Sequence, residues 1–190
     1  MRRILLPVLC LLLLCGCSGT REQAEELQNH CATWKNVRME AEIICHLEGE
    51  SRSYTVLCTC DEQGATTTIT APEEVAGISA TVTDGELLVN YGGAALSAGT
   101  PPVLSPANCI PLLLHAAAEG YLLEHGAETM DGLECLRLAL DTTASDGKKI
   151  LCTVWFETAG GVPRYAEFSR DGVVKLTLRT LSFEIIGKEE

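Results

Sequence analysis

The strongest constraint on this chain is the recurrence of Asp-Gly, at Asp84-Gly85, Asp131-Gly132, Asp146-Gly147 and Asp171-Gly172, each set between strand-like runs. Asp and Gly tolerate the positive φ that a two-residue hairpin needs, so each pair marks a sharp reversal of an extended chain. Val82-Thr83 and Glu86-Leu87 flank the first pair, and Ser169-Arg170 and Val173-Val174 the last. Gly160-Gly161 turns residues 154–157 back into 164–168 in the same way. Strands joined in order by short turns form an antiparallel meander.

Period two carries the meander toward the N-terminus. Val37, Met39, Ala41 and Ile43 alternate with Arg38, Glu40 and Glu42, the pattern of a half-buried strand. Glu48-Gly49-Glu50-Ser51 turns the chain, residues 54–60 return, and the Thr- and Ile-rich residues 65–70 make a third strand. About nine strands fit between Val37 and Ile186. Two segments have the helical period instead. Residues 21–34 place Ala24, Leu27, Cys31 and Trp34 at three- and four-residue steps, with Glu22, Glu25 and Glu26 suiting the N-terminal dipole. Ser105-Pro106 forms an N-cap and first-turn pair, and residues 109–118 are apolar almost all round. Pro111 should kink this helix or delay its start. A helix without a polar face must be buried, and the concave side of a curved sheet is the simplest place for it, with Leu112, Leu113 and Leu114 plugging the opening. Residues 92–102, small and Gly-rich, read as a mobile loop. The fold class is α+β, an antiparallel curved sheet with an N-terminal helix and a buried apolar helix over its concave face.

Arg2 and Arg3 open the chain, and residues 4–14 run apolar with only Pro7 to interrupt them. About eleven apolar residues are too few for a membrane-spanning helix, which takes roughly twenty, so the segment reads as a removable export signal. Leu14-Cys15-Gly16-Cys17 resembles the lipobox of bacterial lipoproteins. On that resemblance, residues 1–16 are the signal peptide and Cys17 carries a diacylglycerol-derived group and palmitate. Residues 17–20 are a short tether, and residues 21–190 form one domain. Two acyl chains anchor a protein where one holds it only marginally, which implies residence at the extracytoplasmic face of a cell membrane.

Charge and cysteine usage narrow the partners. The signal takes two of the 14 basic residues, leaving 12 against 26 acidic ones, a formal charge of −14. That balance excludes nucleic acid and argues against broad adhesion to anionic lipid, leaving the acyl anchor as the membrane contact. Beyond Cys10, Cys15 and Cys17 there remain Cys31, Cys45, Cys58, Cys60, Cys109, Cys135 and Cys152, an odd number that cannot pair fully within one chain. Cys58-Thr59-Cys60 has neither a second close pair nor a His at ligand spacing, so no metal or other cofactor is expected. Most of these cysteines lie among apolar neighbours, as in Ile43-Ile44-Cys45, where a free thiol acts as a small hydrophobe in a poorly oxidising habitat. The competing arrangement is one or two cross-strand disulfides, with Cys45 to Cys58 and Cys135 to Cys152 as the favoured pairs.

Catalytic patterns are absent from the sequence. His30, His46, His115 and His125 form no metal-binding pair, and Cys45 and His46 point to opposite faces of a strand. There is no Gly-x-Ser-x-Gly elbow, and the carboxylates stand in no recognisable acid/base constellation. A non-enzymatic protein is expected.

An N-terminal helix, a meander and an inserted apolar helix, in that order in an exported chain, resemble the LolA/LppX-like envelope proteins. Three stretches share the likeness: Ala71-Pro72-Glu73-Glu74-Val75-Ala76-Gly77-Ile78, leading to a hairpin with Gly85, Leu87 and Tyr91; Leu104-Ser105-Pro106; and Trp155-Phe156-Glu157 with Gly161-Val162-Pro163-Arg164-Tyr165-Ala166-Glu167. The resemblance implies an unclosed half-barrel with helices over its mouth. In carriers of this type acyl chains lie between sheet and helices. The walls here would be Trp34, Val37, Met39, Ile110, Leu112, Leu113 and Trp155, with residues 92–99 as a gate. The chain is also similar to GerS-type lipoproteins of spore-forming anaerobes, in which the fold serves as the partner of a peptidoglycan-cleaving amidase. In that case the same side chains fill a core, and an edge strand or apolar patch meets the partner. An anchored protein cannot ferry lipid across an aqueous gap, and Ala116, Ala117 and Ala118 seat the helix close to the sheet. The favoured expectation is therefore a protein-interaction module at the envelope, with a carrier or binder of lipid as the alternative.

Overall fold

Asp84, Asp131 and Asp171 adopt φ of 52°, 51° and 54°, and the glycines after them 78°, 80° and 73°. Two successive residues at positive φ are the geometry of a type I′ turn, whose twist matches that of the strands it joins. The computed structural model describes residues 18–47, 49–143 and 147–187. Cys17 and the segment expected to be an export signal, like Glu48 and Asp146, lie outside the described residues.

Among the described residues the first element is α1 (Ser18–Cys31), followed by β1 (Val37–Leu47), β2 (Glu50–Asp61), β3 (Gly64–Ala71), β4 (Ser79–Thr83), β5 (Glu86–Tyr91) and β6 (Ala94–Gly99). Helix α2 (Cys109–Glu119) follows, then β7 (Tyr121–Met130), β8 (Leu133–Thr143), β9 (Lys149–Glu157), β10 (Pro163–Arg170) and β11 (Val173–Ile185). All eleven strands form one sheet in the order β6-β5-β4-β3-β2-β1-β11-β10-β9-β8-β7. Strands β1 to β6 step outward on one side, α2 carries the chain to the far edge, and β7 to β11 step back until β11 pairs antiparallel with β1. The sheet is open, with β6 and β7 as its edges.

Eleven strands stand where about nine are expected. The stretch 92–102 is not loop throughout: Gly92 and Gly93, at φ 57° and 84°, make another tight turn, and β6 pairs with β5. Its residues, Ala-Ala-Leu-Ser-Ala-Gly, carry no β-branched side chain and no alternation, so nothing local marks a strand. Helix α2 also starts differently. Ser105-Pro106 belongs to a preceding turn, where the Ser105 carbonyl accepts from the Asn108 and Cys109 N–H groups at 3.1 and 3.0 Å. Pro111 then falls in the first turn of α2, where an N–H would have no intrahelical acceptor, and no kink is needed.

One face of the sheet is dry. Met39, Ala41 and Ile43 of β1, Leu138 and Leu140 of β8, Val154 and Phe156 of β9, and Phe168 and Leu178 are all buried in a single cluster. Helix α2 closes over them with Ile110, Leu113, Ala116 and Ala117, and α1 adds Ala24 and Cys31. The helices touch one another, α1 against β7 and α2 against β8 and β9. Burial of each such Leu, Ile or Phe contributes about 1.5–3 kcal/mol, so the stacked helices and sheet hold each other in place. Register also separates the two disulfide pairs named above. Cys45 faces Arg52, Cys58 faces Met39, Cys135 faces Glu157 and Cys152 faces Leu140. All seven described thiols are free.

Candidate functional site

The face that a half-barrel offers to a ligand is the concave one, and here side chains fill it. Val37, Met39, Ile110, Leu112 and Leu113 meet in one buried cluster between the sheet and α2. Trp34 sits at the margin of that cluster, in the turn after α1, with its ring 5.0 Å from Phe183 and 5.8 Å from His30. Its Nε1 is buried and has no hydrogen-bond partner among the described residues.

Trp155 does not join them. Strand β9 presents Cys152, Val154 and Phe156 to the core, so Trp155, one residue out of phase, stands on the convex face. There its ring lies 5.4 Å from Tyr165, and its Nε1 donates to Glu128 at 2.7 Å. The aromatic that β9 contributes to the interior is Phe156, which alternation from Cys152 and Val154 points to. Arg137, Trp155, Tyr165 and Arg179 are successive register partners and form a row across four strands of this face. Arg179 pairs with Asp131 at 2.7 Å, and Arg137 with Glu128 at 2.9 Å, so the cations of the row are satisfied.

What remains open on the concave side lies at its margins. A groove of about 390 Å³ runs between the turn after α1, the β2–β3 turn and α2, and includes Trp34, Val37, Cys60, Pro111, Leu114 and His115. A depression of about 310 Å³ beside Val103 and Leu112 shares Val82, Pro111 and His115 with it, which extends the groove along α2. On the other flank of α1, about 500 Å³ opens between Leu27, His30, Leu136 and Phe156. These volumes fall in the lower part of the range of small-ligand pockets.

Cys31 and Cys60 line the first groove, and further thiols are buried behind it. Burial pushes Cys31 up to about 12 and Cys152 higher, and Cys109 is raised well above its ordinary value for the same reason. Such groups stay protonated and inert at neutral pH. Cys58 and Cys60 differ, because they face each other. Their Sγ atoms are 3.5 Å apart, a juxtaposition that follows from two residues of one strand sharing a face. Among the described residues no group of three or more His, Cys, Asp or Glu side chains is placed to hold a metal ion. No helix among them is long and apolar enough to cross a membrane.

No protein-family model matches the chain, and no curated protein matches it in sequence. The fold does match solved structures. It is similar to an outer membrane lipoprotein-sorting protein domain from Vibrio parahaemolyticus, 12% identical with a TM-score of 0.50 over 88% of this chain and 93% of that one. It is similar to a LolA superfamily protein from Nitrosomonas europaea, 12% identical with a TM-score of 0.51 over 86% and 94%. An uncharacterized conserved protein from Thermus thermophilus is 10% identical with a TM-score of 0.53 over 86% and 88%. At such identities the likeness is one of fold: the open antiparallel sheet with covering helices is the fold shared with the LolA superfamily protein.

Proposed function

We propose that this chain is a lipid-anchored, non-catalytic binding module at the extracytoplasmic face of a cell membrane, engaging an envelope protein through the β6 edge. The observation that carries this reading is the seating of α2. Ile110, Leu113, Ala116 and Ala117 are each at most 1% exposed, so protein occupies the space in which a carrier would hold acyl chains. The β6 edge supplies a surface in its place. All six of its residues are exposed, and it carries no Pro and no charge. No Asp, Glu, Lys or Arg occurs between Glu86 and Glu119, in a chain where 21% of residues are charged. The opposite edge is guarded by Glu124, Glu128 and a bulge between Leu122 and Glu124. An unguarded edge accepts an extended segment of a partner, whose backbone completes the ladder. Leu96, 69% exposed, and Tyr91, 59% exposed, would meet alternate apolar side chains of that segment. A cell-wall or germination protein, as for GerS-type lipoproteins, is the partner class that the sequence resemblance suggests.

The second reading is a binder of one hydrophobic ligand, and the buried, unpartnered Nε1 of Trp34 beside the 390 Å³ groove favours it. Native mass spectrometry of the chain purified gently from its own host envelope separates the two. A protein partner present with the wild type and lost with Leu96→Lys supports the edge. A lipid-sized mass that survives Leu96→Lys and leaves on denaturation assigns the groove instead. The anchor is tested separately. Cys17→Ala should move the protein from the membrane to the aqueous fraction without unfolding it, and continued acyl labelling of that variant would sink the lipobox assignment.

A further inference from the structure

We propose that Cys58 and Cys60 form a redox-active dithiol that exchanges with small organic disulfides, alternating between two thiols and an intrastrand disulfide. The inference is independent of how the protein meets its partner. Both side chains leave β2 on the concave face, and their Sγ atoms already lie 3.5 Å apart. Two residues along an antiparallel strand separate the Cα atoms by roughly 6.8 Å, at the upper limit for a disulfide, so closing the bond must pucker β2 to bring the Cβ atoms together. Among the described residues no other pair of thiols is in such contact.

The two cysteines differ in access, as an attacking and a resolving cysteine must. Cys60 is half-buried and lines the groove beside Trp34 and His115, where a small disulfide can reach it. Cys58 is buried behind it, with Thr67 Oγ1 at 3.2 Å. The same hydroxyl lies 3.1 Å from the Ala107 carbonyl, which it joins to β3 just before α2. Hydrogen bonds from Cys60 and Thr67 pull the Cys58 thiol down, and the same contact with Cys58 pushes Cys60 up. Of the two, Cys58 is therefore the easier to ionise, as the thiol that closes the disulfide requires.

The exchange balances as follows. Cys60 gives its proton to water, and its thiolate attacks one sulfur of R–S–S–R. That S–S bond breaks, Cys60–S–S–R forms, and the departing R–S⁻ takes the proton from Cys58. The Cys58 thiolate then attacks Cys60 Sγ, closing Cys58–Cys60 and expelling the second R–S⁻. This last thiolate takes up from water the proton that Cys60 gave to it. Two electrons pass from the dithiol to the substrate, which leaves as two R–SH.

The test uses the reduced full chain in detergent, without oxygen, with oxidised glutathione as the probe and peptide mass mapping as the readout. The expected result is loss of two hydrogens from the peptide holding Cys58 and Cys60, with two equivalents of glutathione released and the other thiols retained. Cys58→Ser and Cys58→Ala should each stop at a stable glutathione adduct on Cys60, and Cys60→Ser should react with none. A wild-type protein that keeps the Cys60 adduct, that pairs Cys60 with Cys31, or that leaves both thiols unreacted overturns the proposal.

Discussion

Phe156 is buried in the core while its neighbour Trp155 stands on the opposite face, tied to Glu128 and Tyr165. The two rings should therefore respond very differently to truncation. Phe156→Ala removes a ring from a close-packed interior and should cost about 3–5 kcal/mol in urea unfolding. Trp155→Ala loses one hydrogen bond and one ring contact at a half-exposed site, for about 1–2 kcal/mol. The larger ring was the natural choice for the interior on hydrophobicity alone. In a strand the face is set by parity, and parity is read from Cys152 and Val154, which a small thiol and a modest Val make easy to overlook. A similar blindness affects Cys58 and Cys60. Their shared face follows from their spacing, but their separation from Cys45 depends on β1–β2 register, in which Cys45 meets Arg52.

At the scale of elements, Gly120 is the joint between α2 and β7. Its N–H donates to the Ala116 carbonyl at 2.8 Å, and its own carbonyl accepts from Gln28 Nε2 of α1 at 2.9 Å. A Cβ there would run into the Ala116 carbonyl oxygen and sit 3.0 Å from Leu140 Cβ. Gly120→Ala should destabilise by about 1–3 kcal/mol through backbone displacement, which thermal or urea unfolding would register. Gly132→Ala is the control, because its Cβ meets nothing within 4 Å and only the positive φ resists it, for about 1–2 kcal/mol. Elements with strong local signals were legible: α1 from its three- and four-residue steps, β1 from strict alternation, and the hairpins from Asp-Gly. The β6 strand was not, because small uncharged residues have no preference of their own and become a strand by pairing with β5.

For the whole molecule, the buried thiols make stability depend on alkaline pH. Cys31 is pushed from 9.0 up to about 12, and Cys45, Cys109 and Cys152 are also raised, each chiefly by burial. Above about pH 9 the unfolded chain has lost these protons and the folded chain still holds them, so stability falls as pH rises. Cys58 acts in the opposite direction, and it is outnumbered. Urea midpoints should hold steady to about pH 8 and then decline, with Cys31→Ala lessening the slope by one proton, on the order of 1.4 kcal/mol per pH unit. An unchanged midpoint up to about pH 11 would contradict the burial of these groups.

The amino-acid sequence alone determined the order of the elements with strong local signals, the antiparallel sense of strands joined by short turns and the burial of the apolar helix. Each of these rests on short-range physics: positive φ at Asp-Gly, the two-residue alternation of a strand, and a helix with no polar face. Tertiary structure alone decided that β11 closes onto β1, joining two meanders into one eleven-stranded sheet. It also decided that α2 fills the concave face instead of roofing a cavity, and that β6 becomes an edge. Those outcomes depend on which distant side chains are buried together, and that energy exists only once the strands have met.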